Sequence, residues 1–171
     1  AYHALAHVEA CLRELAALDD LSPPDRRLLE AAIWWHDAIY DPTRSDNEAR
    51  SAELARADLI RLGWTPADAD EVARLILLTK GHRTEPGDRL GALLVSIDLS
   101  VLGGSAADYD AYVAGVRREY AHVPEPLWRQ GRGAVMRGFL EARPLFPDPA
   151  FEARLGETAR ANIARELAAL A

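Results

Sequence analysis

Cysteine is almost absent: Cys11 is the only one in 171 residues, so no intrachain disulfide can form and the fold needs no oxidising compartment. No apolar run reaches the roughly 18 residues of a membrane span, and the start lacks the basic-then-apolar layout of a secretory leader. A cytoplasmic protein that engages no membrane is expected. Positive charge is scarce as well. Twenty Lys and Arg against 27 Asp and Glu leave a formal charge of −7, which disfavours a surface that holds a nucleic acid polymer or anionic lipid by general attraction. Alternating strand patterns, internal repeats and Gly/Ser-rich or Pro-rich linkers are missing too. So are the phosphate loop GxxxxGK[ST], the zincin HExxH and the GxSxG nucleophile turn. A ferritin-like di-iron bundle wants two Glu-x-x-His motifs, and only EYAH at 119–122 qualifies.

What remains is helix. With 49% hydrophobic residues the chain can bury one substantial core, and apolar positions recur at helical spacing nearly throughout. The expectation is an all-α fold, a single helical-bundle domain over 1–171. Helix starts are marked at SPPD (22–25), SDNE (45–48), TPAD (65–68), SAAD (105–108) and DPAFE (from 148). Four of them set a Ser or Thr three residues before an acid, as in a capping box, and Pro66 and Pro149 take first helical positions. Helices are expected near 1–18, 25–40, 46–62, 66–80, 88–102, 106–121, 125–141 and 149–170, with glycines 63, 81, 87, 103 and 104 as stops. The chain begins without methionine and with a helical pattern already under way at Tyr2, so a short upstream segment is expected.

Several polar residues fall on apolar faces. His3 and His7 are four apart and share a helix face, and Cys11 continues the line. Leu29, Ile33 and His36 follow i, i+4, i+7, which turns His36 inward, with Asp37 at the border of the stripe. In LGALLVSIDLSVL, Leu90, Leu94, Ile97 and Val101 form a stripe that Asp98 joins. A buried carboxylate needs a proton, a hydrogen bond or a cation. Taken singly, an inward His is more often a hydrogen-bonded core residue, and Asp37 near a helix end is more often solvated. Taken together, His7, His36, Asp37 and Asp98 offer two imidazoles and two carboxylates from three helices. Such a set suits one divalent ion, Mn, Fe, Ni, Co or Zn, or Mg, better than a thiolate-rich structural zinc site would.

The ordered pattern of His7, then His36-Asp37, then a distant Asp98 resembles the HD superfamily of metal-dependent phosphohydrolases, which are all-helical. YHALAHV, AIWWHDAIYDPTRSDNEARSA, ILLTKGH, IDLSVLG and VRREY followed by GR are similar to a bacterial branch described as predicted HD phosphohydrolases, and they cover most of the chain. The resemblance implies His7, His36, Asp37 and Asp98 as metal ligands and His3 as proton donor to the leaving oxygen. It implies hydrolysis of a small phosphorylated substrate, a phosphomonoester or nucleotide-like molecule, by water that the ion activates.

Around this set stand further candidates. Glu48 falls where related hydrolases place an acid that orients water, although Ser45 and Glu48 also spell a capping box. Lys80 and His82 lie past a helix end and suit phosphate contact, as do Arg118 and Arg132. Trp34 and Trp35 read as core rather than as base-stacking platforms, and Cys11 as a small buried apolar residue. Two other readings fit the same letters: an HD-fold di-iron oxygenase with extra histidine ligands, His82 among them, and a noncatalytic helical module that metal only ties together.

Overall fold

The computed structural model describes residues 5–171. Every regular element among them is helical: α1 (Leu5–Ala16), α2 (Pro23–Trp35), α3 (Asn47–Arg61), α4 (Pro66–Leu78), α5 (Arg89–Asp98), a 3₁₀ turn (Leu99–Gly103), α6 (Ala106–Glu119), α7 (Glu125–Glu141) and α8 (Pro149–Leu170). No single helix among the described residues is long and apolar enough to cross a membrane. The described chain divides into two compact units, residues 5–98 and residues 99–171.

Most of the helix starts follow from their caps. Ser22, Thr65 and Ser105 each accept a hydrogen bond from the amide three residues ahead, at Asp25, Asp68 and Asp108, and Asp148 accepts from Ala150 and Phe151. The start at 45–48 differs. Its cap is Asp46, whose carboxylate is forked onto Arg44 at 2.6 and 2.7 Å and bonds no helix amide. The Ser45–Glu48 capping box does not form, because the helix starts one residue later, with Asp46 rather than Ser45 at the cap, which puts Glu48 out of step with a box.

In the unit of residues 5–98, α2 is central and touches α1, α3, α4 and α5, while α1 also packs on α5. Leu29, Ala32 and Ile33 of α2 are fully enclosed, as are Leu75 and Ile76 of α4 and Leu94 and Ile97 of α5. Each enclosed Leu or Ile contributes about 1.5–3 kcal/mol relative to exposure. The hairpin of α3 and α4 turns at Gly63, whose φ of 84° lies in the left-handed region that other residues avoid.

Two helices stop earlier than periodicity alone indicates. α2 ends at Trp35, not near residue 40, so His36 is its C-cap and Asp37 lies in the turn beyond. The backbone of Ile39 and Asp41 bonds instead to side chains of α3, and these bonds replace the helical ones. α5 gives way at Leu99 to the 3₁₀ turn. Trp34 is also not core: it is 47% exposed, whereas Trp35 is half-buried and donates to Asp58 at 3.2 Å.

In the unit of residues 99–171, α8 packs on the 3₁₀ turn and on α7, and α6 packs on the 3₁₀ turn. A Cβ at Gly103 would stand 2.6 Å from that of Leu155, so only glycine permits this approach of the turn to α8. Asn162 donates to the carbonyls of Leu102 and Gly104, both at 3.0 Å. Buried Arg132 of α7 pairs with buried Glu166 of α8 at 2.8 Å, and Tyr109 of α6 donates to the same carboxylate.

Candidate metal centre

Three helices of the unit of residues 5–98 bring their polar residues to one place. His7 comes from the first turn of α1, His36 from the C-cap of α2 and Asp98 from the last position of α5. One ligand atom from each lies within 4.8 Å of the other two. His7 Nε2 stands 3.2 Å from His36 Nε2 and 3.0 Å from Asp98 Oδ1, and His36 Nε2 is 3.6 Å from that oxygen. Asp37 Oδ2 lies 3.3 Å from His36 Nε2, but Asp37 is not part of the group of three whose ligand atoms all lie within 4.8 Å of one another. Donors bound at about 2.0–2.2 Å to one cation, as His and carboxylate ligands are, stand about 2.9–3.6 Å from their neighbours. The spacing fits.

The direction of the His36 ring is settled by its neighbour. Nδ1 lies 2.9 Å from the Ile33 carbonyl, which only accepts, so Nδ1 carries a proton and donates it there. In the neutral ring Nε2 is then a bare lone pair, aimed at another imidazole and two carboxylates. Something positive belongs between them. Without a cation a proton serves: burial works to lower the His36 pKa, but hydrogen bonds donated to Asp37 and Asp98 outweigh it and raise it well above the ordinary value. For Asp98, burial works to raise the pKa, and hydrogen bonds from His36, His7 and His82 overcome it and hold the carboxyl well below its usual range. With neutral imidazoles the two carboxylates leave the cluster doubly negative, a charge that a divalent ion balances.

Asp98 divides its oxygens between two sides. Oδ1 faces His7 and His36, and Oδ2 lies 3.2 Å from His82 Nε2. His82 adopts φ 51°, the one left-handed non-glycine conformation among the described residues, and its amide donates to the Leu78 carbonyl at 2.9 Å, closing α4. Cys11 lies beneath His7, with Sγ 3.7 Å from Nε2 and 3.9 Å from the Ile97 carbonyl oxygen. Burial, followed by the negative charge of Asp98 and Asp37, pushes its thiol well above the ordinary value.

The remaining candidates are distributed as follows. Glu48 is half-buried in the first turn of α3, with no capping task. Lys80 is exposed and donates to the Ser45 carbonyl at 3.0 Å, linking the turn after α4 to the segment before α3. Arg118, exposed near the end of α6, and Arg132, held by Glu166, belong to the unit of residues 99–171. His3 lies outside the described residues. The sequence placed Asn47 beside Glu48 where related hydrolases orient water, and assigned no role to Ser51 of α3. The available signal was two small polar residues, four apart, on a helix face.

No family model matches the chain, and neither a curated protein nor a solved structure does.

Proposed function

We propose that the chain is a metal-dependent phosphohydrolase of the HD type, acting in the cytoplasm on a small phosphorylated molecule. The observation that carries the reading is the orientation of His36: its Nδ1–H is committed to Ile33, so Nε2 faces His7, Asp37 and Asp98, where it holds a proton without a cation and would give it up to bind one. The ordered resemblance of His7, His36-Asp37 and Asp98 to HD proteins supports it from the sequence side. These four residues would hold one divalent ion, which when bound supplies a Lewis acid for phosphoryl oxygens and lowers the pKa of water. Lys80 and His82 are assigned to phosphate contact, Glu48 to orienting water, and His3 to protonating the leaving oxygen. Arg132 is already committed to Glu166.

The test is metal analysis of the purified protein, then phosphate release from a panel of phosphomonoesters and nucleotides with the matched ion. His36→Ala and Asp98→Ala are expected to lose both metal and activity. His3→Ala is expected to keep the metal and lose about 10²–10⁴-fold in rate. Full hydrolysis by both His36→Ala and Asp98→Ala would refute the assignment. One observation favours the di-iron oxygenase as a second reading: His82 on the outer oxygen of Asp98 supplies a donor for a second ion. Oxygen uptake by the iron-loaded protein, with no phosphate release from any ester, would decide for it.

A further inference from the structure

We propose that Asn47 and Ser51 are positioning residues for Asp37, acting by gripping the backbone that follows it; the inference rests on the metal reading above. Both lie on one face of α3, four residues apart, and both are buried, with Ser51 fully enclosed. Each satisfies both backbone groups of a single residue. The Asn47 amide accepts from Asp41 N–H at 3.1 Å and donates to Asp41 C=O at 2.8 Å. The Ser51 hydroxyl accepts from Ile39 N–H at 3.0 Å and donates to Ile39 C=O at 3.3 Å.

Two side chains of one helix thus hold the chain that leaves the turn at Asp37. Asp37 is bracketed. Before it, the His36 amide donates to Ala32 at 2.9 Å and the His36 ring to Ile33; after it, the Ala38 amide donates to the Trp35 carbonyl at 3.0 Å and Ile39 is held by Ser51. His36 carries its own anchors within α2, whereas Asp37 lies beyond the helix and is placed by the backbone on either side of it. Its carboxylate must fold back to within 3.3 Å of the neighbouring imidazole. Releasing residues 39 and 41 leaves the Ala38 amide bond to Trp35 as the backbone tie just after Asp37, and loosens the hold on that carboxylate. Neither side chain serves as the cap of α3, since that position belongs to Asp46.

The experiment is a calorimetric titration of the EDTA-stripped full chain with Mn²⁺, for Asn47→Ala and Ser51→Ala, each made with Asp37 intact and in an Asp37→Ala background. With Asp37 present, each variant is expected to bind Mn²⁺ about 10–100-fold more weakly, the usual cost of losing an outer support of a metal ligand. In the Asp37→Ala background the further loss is expected to stay under about 2-fold, because the residue they act through is gone. Ser51→Thr, which keeps the hydroxyl, is expected to retain affinity. Should an alanine variant fold poorly, Asn47→Asp keeps the acceptor for Asp41 N–H and is read in its place. Amide exchange at Ile39 and Asp41 in the metal-free protein provides a readout independent of the ion, and is expected to accelerate at Asp41 in Asn47→Ala and at Ile39 in Ser51→Ala. Wild-type affinity in both alanine variants, or equal losses with and without Asp37, would overturn this inference and leave the metal reading standing. A wild-type protein that takes up no Mn²⁺, Zn²⁺ or Ni²⁺ would overturn both.

Discussion

At the residue scale, Asp98 shows how much one side chain's surroundings decide. Its Oδ1 meets two imidazoles and its Oδ2 a third, so the plane of the carboxylate is held from both sides. His82 does this from a left-handed backbone that glycine would adopt at less cost, which makes the ring, not the turn, the reason for a histidine there. His82→Gly is accordingly expected to keep its far-UV circular dichroism and to bind Mn²⁺ about 10–100-fold more weakly. Unchanged affinity would show that Asp98 is oriented by other groups. Cys11 is expected to be inert, because burial and the nearby carboxylates keep its thiol protonated. Iodoacetamide should label it only after denaturation, and rapid labelling of the native protein would contradict its enclosure.

At the element scale, helix ends are held by few, identifiable contacts. Asp88 precedes α5 and accepts from the Gly91 amide at 2.9 Å while pairing with Arg74 at 2.7 Å. The Arg74 hydrogen bond lowers its pKa, burial opposes this, and the Gly91 amide lowers it further. A depressed folded-state pKa means stability that is complete above the unfolded value near 4 and is lost as pH falls through the folded one. Asp88→Asn keeps the cap but not the charge. It is expected to lose about 0.5 kcal/mol at neutral pH, Arg74 being half in solvent, with the difference vanishing in acid in urea titrations at several pH values. Asp88→Ala also loses the cap and is expected to cost about 1 kcal/mol more. Between α7 and α8, Arg132 and Glu166 are both buried, so Arg132→Ala leaves a buried carboxylate without its counter-charge, still bonded by Tyr109, and is expected to cost about 3 kcal/mol.

At the scale of the whole molecule, the cluster draws on residues 7, 36 and 98, so an ion held there closes large loops of chain and binds only the folded state. At a free ion concentration of 100 times Kd the expected stabilisation is about 2.7 kcal/mol. For a chain of this length that corresponds to a rise in Tm of about 5–10 °C. Melting curves in EDTA and in excess Mn²⁺ measure it, and Asp98→Asn is expected to abolish the shift. A wild-type Tm indifferent to every divalent ion tried would argue against a site of useful affinity.

The helical class, the caps at Ser22, Thr65, Ser105 and Asp148, and the inward faces of His7, His36 and Asp98 were all legible in the amino-acid order. A period of 3.6 residues and a side chain bonding an amide three positions on are local facts that spacing records. The end of α2 was not legible, because apolar spacing continues through Ile39 and Tyr40 while the bonds that draw residues 39 and 41 away come from Asn47 and Ser51 of another helix. The empty capping role of Glu48 was hidden likewise, by a helix start that falls one residue later than Ser45 suggests. Nor could spacing reveal that His36 points Nε2 at His7, or that His82 reaches the far oxygen of Asp98. Sequence by itself determined which faces are buried; tertiary structure alone decided which polar atoms meet, because a hydrogen bond depends on tenths of an ångström between segments that the chain order leaves tens of residues apart.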